Sequence, residues 1–497
     1  MEYFINCNTA PLSPYNTPLD KSRAAHLYRR LGFSASAETI DQAEGQNAGT
    51  LVDTLINQAL NAAAIPAPEW ADWNRSNYPE DDQLRNSMMR TQRDEFGVTY
   101  GNQMLTNNLK ERLSFFWSNH FVTELKVYES TSFLYHYIDC LQRNSLGNFK
   151  TFVSEIGLTS AMLYYLDGVY NNGNNPNENY ARELYELFTL GEGNGYTEQD
   201  IIETAKALTG YVERGELGWE PVTFREDRHD AGSKTILGQT GIWGYDDVID
   251  ILFEQRPNEI AEFICRKLYE FFVHPDSRDE AGNAQSIISG MASTFTNNNF
   301  EIAPVLSELF KSQHFFDDDA IGVIIKSPFD FYFHFIKETN FSYNDTTVAS
   351  MINYSGMISQ ELFNPFDVAG WQRDRSWINT NFMIGRWLTI ESILEELFAA
   401  DEEQFRTFGL SLTGMDGMTS NNPDLIAKPI IDFILPKGLL NDSEYDKAYT
   451  IFRSDVQDQY YEGGATPTWT LQTSMEGPSQ VYLLIQYLAR QPEFQLK

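Results

Sequence analysis

Cysteine is scarce in this chain: Cys7, Cys140 and Cys265 stand far apart in 497 residues. With no CxxC pair and no Cys/His ribbon, neither a disulfide framework nor a structural zinc site is supported. Cys140 ("HYIDCLQ") and Cys265 ("EFICRKLYEFF") fall in apolar helical patterns and read as small buried hydrophobes. Basic residues are also in short supply, 36 Lys and Arg against 70 Asp and Glu, a formal net charge of −34. A field of that sign repels phosphate backbones and anionic membrane surfaces, which argues against a nucleic-acid binder. Solubility in a salty environment is the plain reading of the charge, while neutral sugars, cationic partners and divalent metals stay open. No run approaches the ~18 apolar residues of a membrane span. The opening "MEYFINCNTAPLSPYNTPLD" has no basic-then-apolar leader, so the chain as written reads as cytoplasmic.

Strand-type alternation is rare as well, and helical spacing dominates. "LDKSRAAHLYRRLGFS" carries Asp20 near a helix start and Gly32 at its stop. "ETIDQAEGQNAGTLVDTLINQALNA" continues in helical phase, and Pro257 sits at the start of another helix. The Gly-, Thr- and Val-rich "GYVERGELGWEPVTFREDRHDAGSKTILG" is the best hairpin candidate. With no internal repeat, the expectation is a mainly α, compact multi-helix globular protein with a small β-hairpin or irregular insertion around 211–240. Residues 1–19 read as an N-terminal extension and 20–497 as one helical domain, with two lobes meeting near 276–284 as the other division.

The HExxH zinc pattern, the EF-hand loop, the G-x-S-x-G elbow and paired Glu-x-x-His motifs are all missing. Candidate chemistry therefore rests on polar clusters. In "NNGNNPNENYARELYELFTLGEGNGYTEQD" (171–200), Asn177 can cap a helix whose Asn179, Arg182, Glu183 and Glu186 share one face. That face suits either solvent-exposed i,i+4 ion pairs or a ligand clamp. As a clamp, Arg182 would bind a carboxylate or sulfate and Glu183 or Glu186 would act as base or as a hard oxygen ligand. The glycines after it favour a turn, with Thr197 and Asp200 as a capping box. His120 lies beside Phe116 and Trp117 in helical phase and is either a satisfied core histidine or, with Asn119, a cleft residue. His229 and Asp230 occupy a loop able to hold a metal or move a proton, or simply a turn rich in Asp and Gly. In "NPFDVAGWQRDRSWIN", Trp371 and Arg373 suit sugar stacking or anion binding; pinning of the loop by Trp371 and Trp377 is the competing account.

Seven phrases occur in order: "HLYRRLGFSAS", "ERLSFFWSNHFVT", "NENYARELYELFTLGEGNGYTEQDIIETAKALTGY", "RHDAGSKTILG", "FICRKLYEFFV", "LFNPFDVAGWQRDRSWIN" and "YLARQPEFQLK". This series resembles the bacterial family called domain of unknown function 1800, from about His26 to Lys497. Many relatives are exported, and their genes often neighbour one for a sulfatase-like protein. The resemblance thus implies a periplasmic or envelope polysaccharide context and a sulfatase-like partner. Some relatives carry His where this chain has Phe188, so no metal ligand transfers to that position.

Two functions follow as expectations. One is an acid–base or metal-assisted enzyme, such as a hydrolase, acting on a carbohydrate or other envelope-derived small molecule. It would use His120, Glu183, Glu186, His229 and Asp230 for catalysis, with Asn119, Asn179, Arg182, Trp371 and Arg373 binding substrate. The other is a non-catalytic binding or assembly protein in which the same residues form a buried structural network.

Overall fold

The computed structural model describes residues 9–106, 108–213, 218–278, 283–454, 456–461 and 468–497. Cys7 and part of the 276–284 segment lie outside them. Among the described residues, 23 α-helices contrast with two antiparallel two-stranded sheets, so the protein is mainly α. Both sheets lie in the expected insertion. Tyr211–Glu213 pairs with Val222–Phe224, Tyr211 opposite Phe224, and Lys234–Ile236 pairs with Gln239–Gly241.

Caps set many helix ends. Asp20 accepts the Arg23 N–H, and Thr197 and Asp200 form the expected reciprocal box. Pro257 opens the Pro257–Phe272 helix, and Pro328 opens Pro328–Thr339 behind a Ser327–Asp330 box. The stretch expected to continue in helical phase after residue 37 is instead two helices, Ala37–Ala43 and Ala48–Asn61. Between them Gly45 adopts φ +78, a left-handed conformation that ends a helix. The Leu109–Ser118 helix packs against Thr131–Asn144, and Pro257–Phe272 against Ala284–Asn297. One apolar cluster runs from Leu19 to Phe494 and ties these helices together.

Candidate functional site

A cavity of about 350 Å³ opens where the Leu109–Ser118 and Pro257–Phe272 helices meet the start of Pro328–Thr339 and the 369–377 loop. Helical spacing delivers its walls. Arg112, Phe115, Phe116 and Asn119 follow at i, i+3, i+4 and i+7, and Lys267, Glu270 and Phe271 at i, i+3 and i+4, and all seven line it. Trp371 and Trp377, both buried, close another side. Asn119 Oδ1 accepts the Trp371 N–H at 2.6 Å, and Trp371 stacks on Phe115 at 5.2 Å. Gly370, at φ +94, makes this approach possible, because a Cβ there would lie 2.2 Å from Asn119 Oδ1. The loop is thus pinned by its tryptophans and also forms a wall.

The cavity floor is ionic. Asp330 accepts Arg112 Nη1 at 2.5 Å and Lys497 Nζ at 2.5 Å, with all three side chains buried. Lys497 is placed by backbone pairing of residues 495–497 with 324–326, including Lys326 N–H to Gln495 O at 2.7 Å. Burial pushes the Asp330 carboxyl up, but Arg112 and Lys497 outweigh it and hold it well below the carboxylate range. Burial, then Arg112, pulls the Lys497 ammonium well down, while its 2.5 Å contact with the Asp330 carboxylate holds the proton on it; with the pair ionised, two cations on one carboxylate leave the floor positive.

Beside it, His120 Nε2 lies 3.0 Å from the Phe188 carbonyl and Nδ1 lies 3.1 Å from Lys267 Nζ. A carbonyl only accepts, so Nε2 carries the proton and bare Nδ1 accepts from lysine. Lys267 also donates to the Leu187 carbonyl at 3.2 Å and lies over the Phe263 ring at 4.8 Å. No carboxylate among the described residues pairs with it, because Glu270, one turn on, accepts Arg373 at 3.4 Å and the Ser277 hydroxyl at 2.6 Å. Burial, then the charge of Arg373, brings the Lys267 ammonium down to about 7. Burial, then Lys267, keeps the His120 imidazolium well below its usual range.

Asn119, His120, Trp371 and Arg373 therefore share one cavity. The other six candidates do not line it. The polar helix spans only Asn179–Glu183 and continues as a π-helical turn, Leu184–Thr189, whose Leu187 and Phe188 carbonyls hold Lys267 and His120. Asn177 Oδ1 accepts the Asn179 N–H, and Asn179 donates to Asp167. Arg182 sits among Glu178, Glu186 and Glu198, which neutralise it within the chain. Burial and neighbouring Glu186 raise the Glu183 carboxyl. His229 and Asp230 are built around Thr209, with Nδ1 of His229 3.0 Å from its carbonyl and the Asp230 N–H on its hydroxyl. Among the described residues, the backbone bond from Gly173 N–H to Arg228 O at 2.7 Å ties their loop to the Asn-rich start of the 171–200 stretch. Among the described residues no group of three or more His, Cys, Asp or Glu side chains could hold a metal.

Sequence reasoning passed over Lys267, Arg112, Asp330 and Lys497. A usable signal existed for the first two: each is a cation with an aromatic four residues on along one helix face, Phe116 after Arg112 in "RLSFF" and Phe271 after Lys267 in "KLYEFF".

The family described as "Protein of unknown function (DUF1800)" matches residues 26–496. The chain belongs to that family. No curated protein and no solved structure matches it. The four candidates in the cavity and Lys267 all fall inside phrases that carried the resemblance. No helix among the described residues is long and apolar enough to cross a membrane.

Proposed function

We propose that this DUF1800 protein is an acid–base enzyme that takes a small anionic molecule, such as a sugar acid of envelope origin, into the Trp371-walled cavity. The observation that carries this reading is the placement of Lys267, an amine on the cavity wall held by His120 and a carbonyl, without a carboxylate to neutralise it. Such a lysine serves as a general base near neutral pH. His120, with both ring nitrogens engaged, positions the amine. The Arg112–Lys497 floor and Arg373 supply positive charge where substrate negative charge is held or develops, and the aromatic walls suit a sugar ring. A sulfatase-like partner, suggested by the family resemblance, would fit a shared anionic saccharide.

The test is calorimetric titration with a uronic acid and its neutral sugar. The acid should bind and the neutral sugar should not. Affinity should weaken as pH rises through about 7 and Lys267 loses its charge, and Lys267→Met should abolish that dependence. Equal behaviour of the two sugars would remove the reading. The engaged ring of buried His120 favours the rival account, a structural polar network without a ligand. Under it neither sugar binds.

A further inference from the structure

We propose that Lys267 is a nucleophile as well as a base, forming an imine with a small carbonyl compound that bears a carboxylate. The inference rests on the preceding reading, that this cavity accepts a small anionic molecule.

Three features place the amine for this step. Its two hydrogen bonds, to His120 Nδ1 at 3.1 Å and the Leu187 carbonyl at 3.2 Å, are both donated. A neutral amine has two N–H bonds, so both are engaged and the lone pair is what remains for the cavity. Second, the amine lies over the Phe263 ring at 4.8 Å and shares the cavity wall with Phe116 and Phe271, and an apolar setting together with a nearby cation is how lysines are kept unprotonated for nucleophilic work. Arg373 is that cation, and its ammonium-lowering effect agrees with the geometry. Third, Arg373 lines the same cavity and, among the described residues, its guanidinium is paired with Glu270 alone at a long 3.4 Å, so part of its fork is left for a substrate carboxylate.

The step balances without an added reagent. The lone pair forms the N–C bond while the carbonyl π pair moves to oxygen. One N–H proton passes through His120 Nδ1 to that oxygen, giving a carbinolamine. The second N–H proton then leaves with the hydroxyl as water, and the nitrogen pair closes the C=N bond.

The experiment uses the full chain with glyoxylate and cyanoborohydride, which reduces an imine to a stable secondary amine, read by intact mass and peptide mapping. One carboxymethyl group on Lys267 is expected, with exposed Lys428 and Lys447 unmodified as internal references. Labelling should rise with pH around a midpoint of about 7, a readout that needs no variant. Lys267→Arg should lose the label while its thermal unfolding stays close to wild type. Arg373→Gln should move the pH midpoint upward for glyoxylate and acetaldehyde alike, and above that midpoint should slow glyoxylate labelling about tenfold relative to acetaldehyde labelling. Label spread over surface lysines, or retained in Lys267→Arg, overturns the proposal. Saturable glyoxylate binding without an adduct overturns the imine alone and leaves the cavity reading standing. No binding of glyoxylate or the uronic acid takes both down.

Discussion

Replacing Asp330 by Asn asks what holds the cavity floor together. The side chain is buried, accepts Arg112 and Lys497 at 2.5 Å each, and closes the Ser327 capping box. Asparagine keeps the shape and can still receive the Ser327 N–H, so the cap is largely spared. What goes is the one anion between two buried cations. Removing one partner of a buried pair costs about 3–5 kcal/mol, because the other charge is left uncompensated. The reciprocal change should be far milder. Lys497→Met leaves Asp330 paired with Arg112 and removes a surplus cation, so stability should stay within about 1 kcal/mol of wild type. The double variant should regain at least about 1 kcal/mol relative to Asp330→Asn alone. Urea unfolding followed by far-ultraviolet circular dichroism, compared at matched slope, measures all three. A loss below about 1 kcal/mol for Asp330→Asn, or equal losses for the two single variants, would refute the two-cations-on-one-anion account.

Buried histidines set the acid side of the stability profile. His26 and His120 are held well below the usual imidazole range and His334 is lowered to about 3, in each case first by burial. Asp330 opposes the shift at His334, and Lys497 and Lys326 add to it. A depressed folded value means the contribution is present above about pH 6.5 and is lost as pH falls toward the folded value. Each neutral histidine should add a slope approaching about 1.4 kcal/mol per pH unit below pH 6, and His334→Gln should remove one such slope from urea midpoints. Gly157→Ala should cost about 1–3 kcal/mol by overpacking. Its new methyl would lie 1.8 Å from the Tyr180 hydroxyl and 2.3 Å from that of Tyr245, and a crystal structure of the variant should show both rings displaced. Thr197→Ala should cost about 1 kcal/mol through loss of the cap, while Asp200→Ala should cost more, since Asp200 also accepts the Leu237 N–H. Equal thermal shifts for these two would contradict the second role of Asp200.

Local chemistry was the legible part of this fold. Apolar spacing marked the helices, Thr197 and Asp200 announced their own box, and the Gly-rich insertion held both hairpins. The π-helical turn was not legible. Its bonds, such as Leu190 N–H to the Tyr185 carbonyl, differ from an α-helix by a register that apolar periodicity does not record. At the site, His120, Asn119, Trp371 and Arg373 stood out as aromatic–polar mixtures. Lys267 did not, because a lysine on an amphipathic helix normally reaches outward along its own stem. Asp330 went unremarked, and the Ser327 capping box that it closes would account for an aspartate there without any second role. Its pairing with Lys497, 167 residues away, depends on the edge contact between residues 324–326 and 495–497, and no local pattern encodes that.

Arg30, Lys326 and Arg386 lie buried near the floor, each with a donor atom that has no hydrogen-bond partner among the described residues, with Asp330 and Glu338 as the acids beside them. A fold selected for stability alone would do as well with apolar side chains there. Positive charge is thus concentrated inside a chain whose formal charge is −34. An incoming anion meets two opposed fields. The acidic surface repels it through water, where salt screens over about 10 Å at 0.1 M, while the buried cations attract it through protein, where screening is weak. Raising salt should remove the repulsion first. Anion affinity for the cavity should therefore increase between about 0.01 and 0.15 M sodium chloride, the reverse of ordinary surface ion pairing. Uronic acid titrations across that range measure it. Affinity that falls steadily with salt would place the anion on exposed basic residues instead of over the Arg112–Lys497 floor.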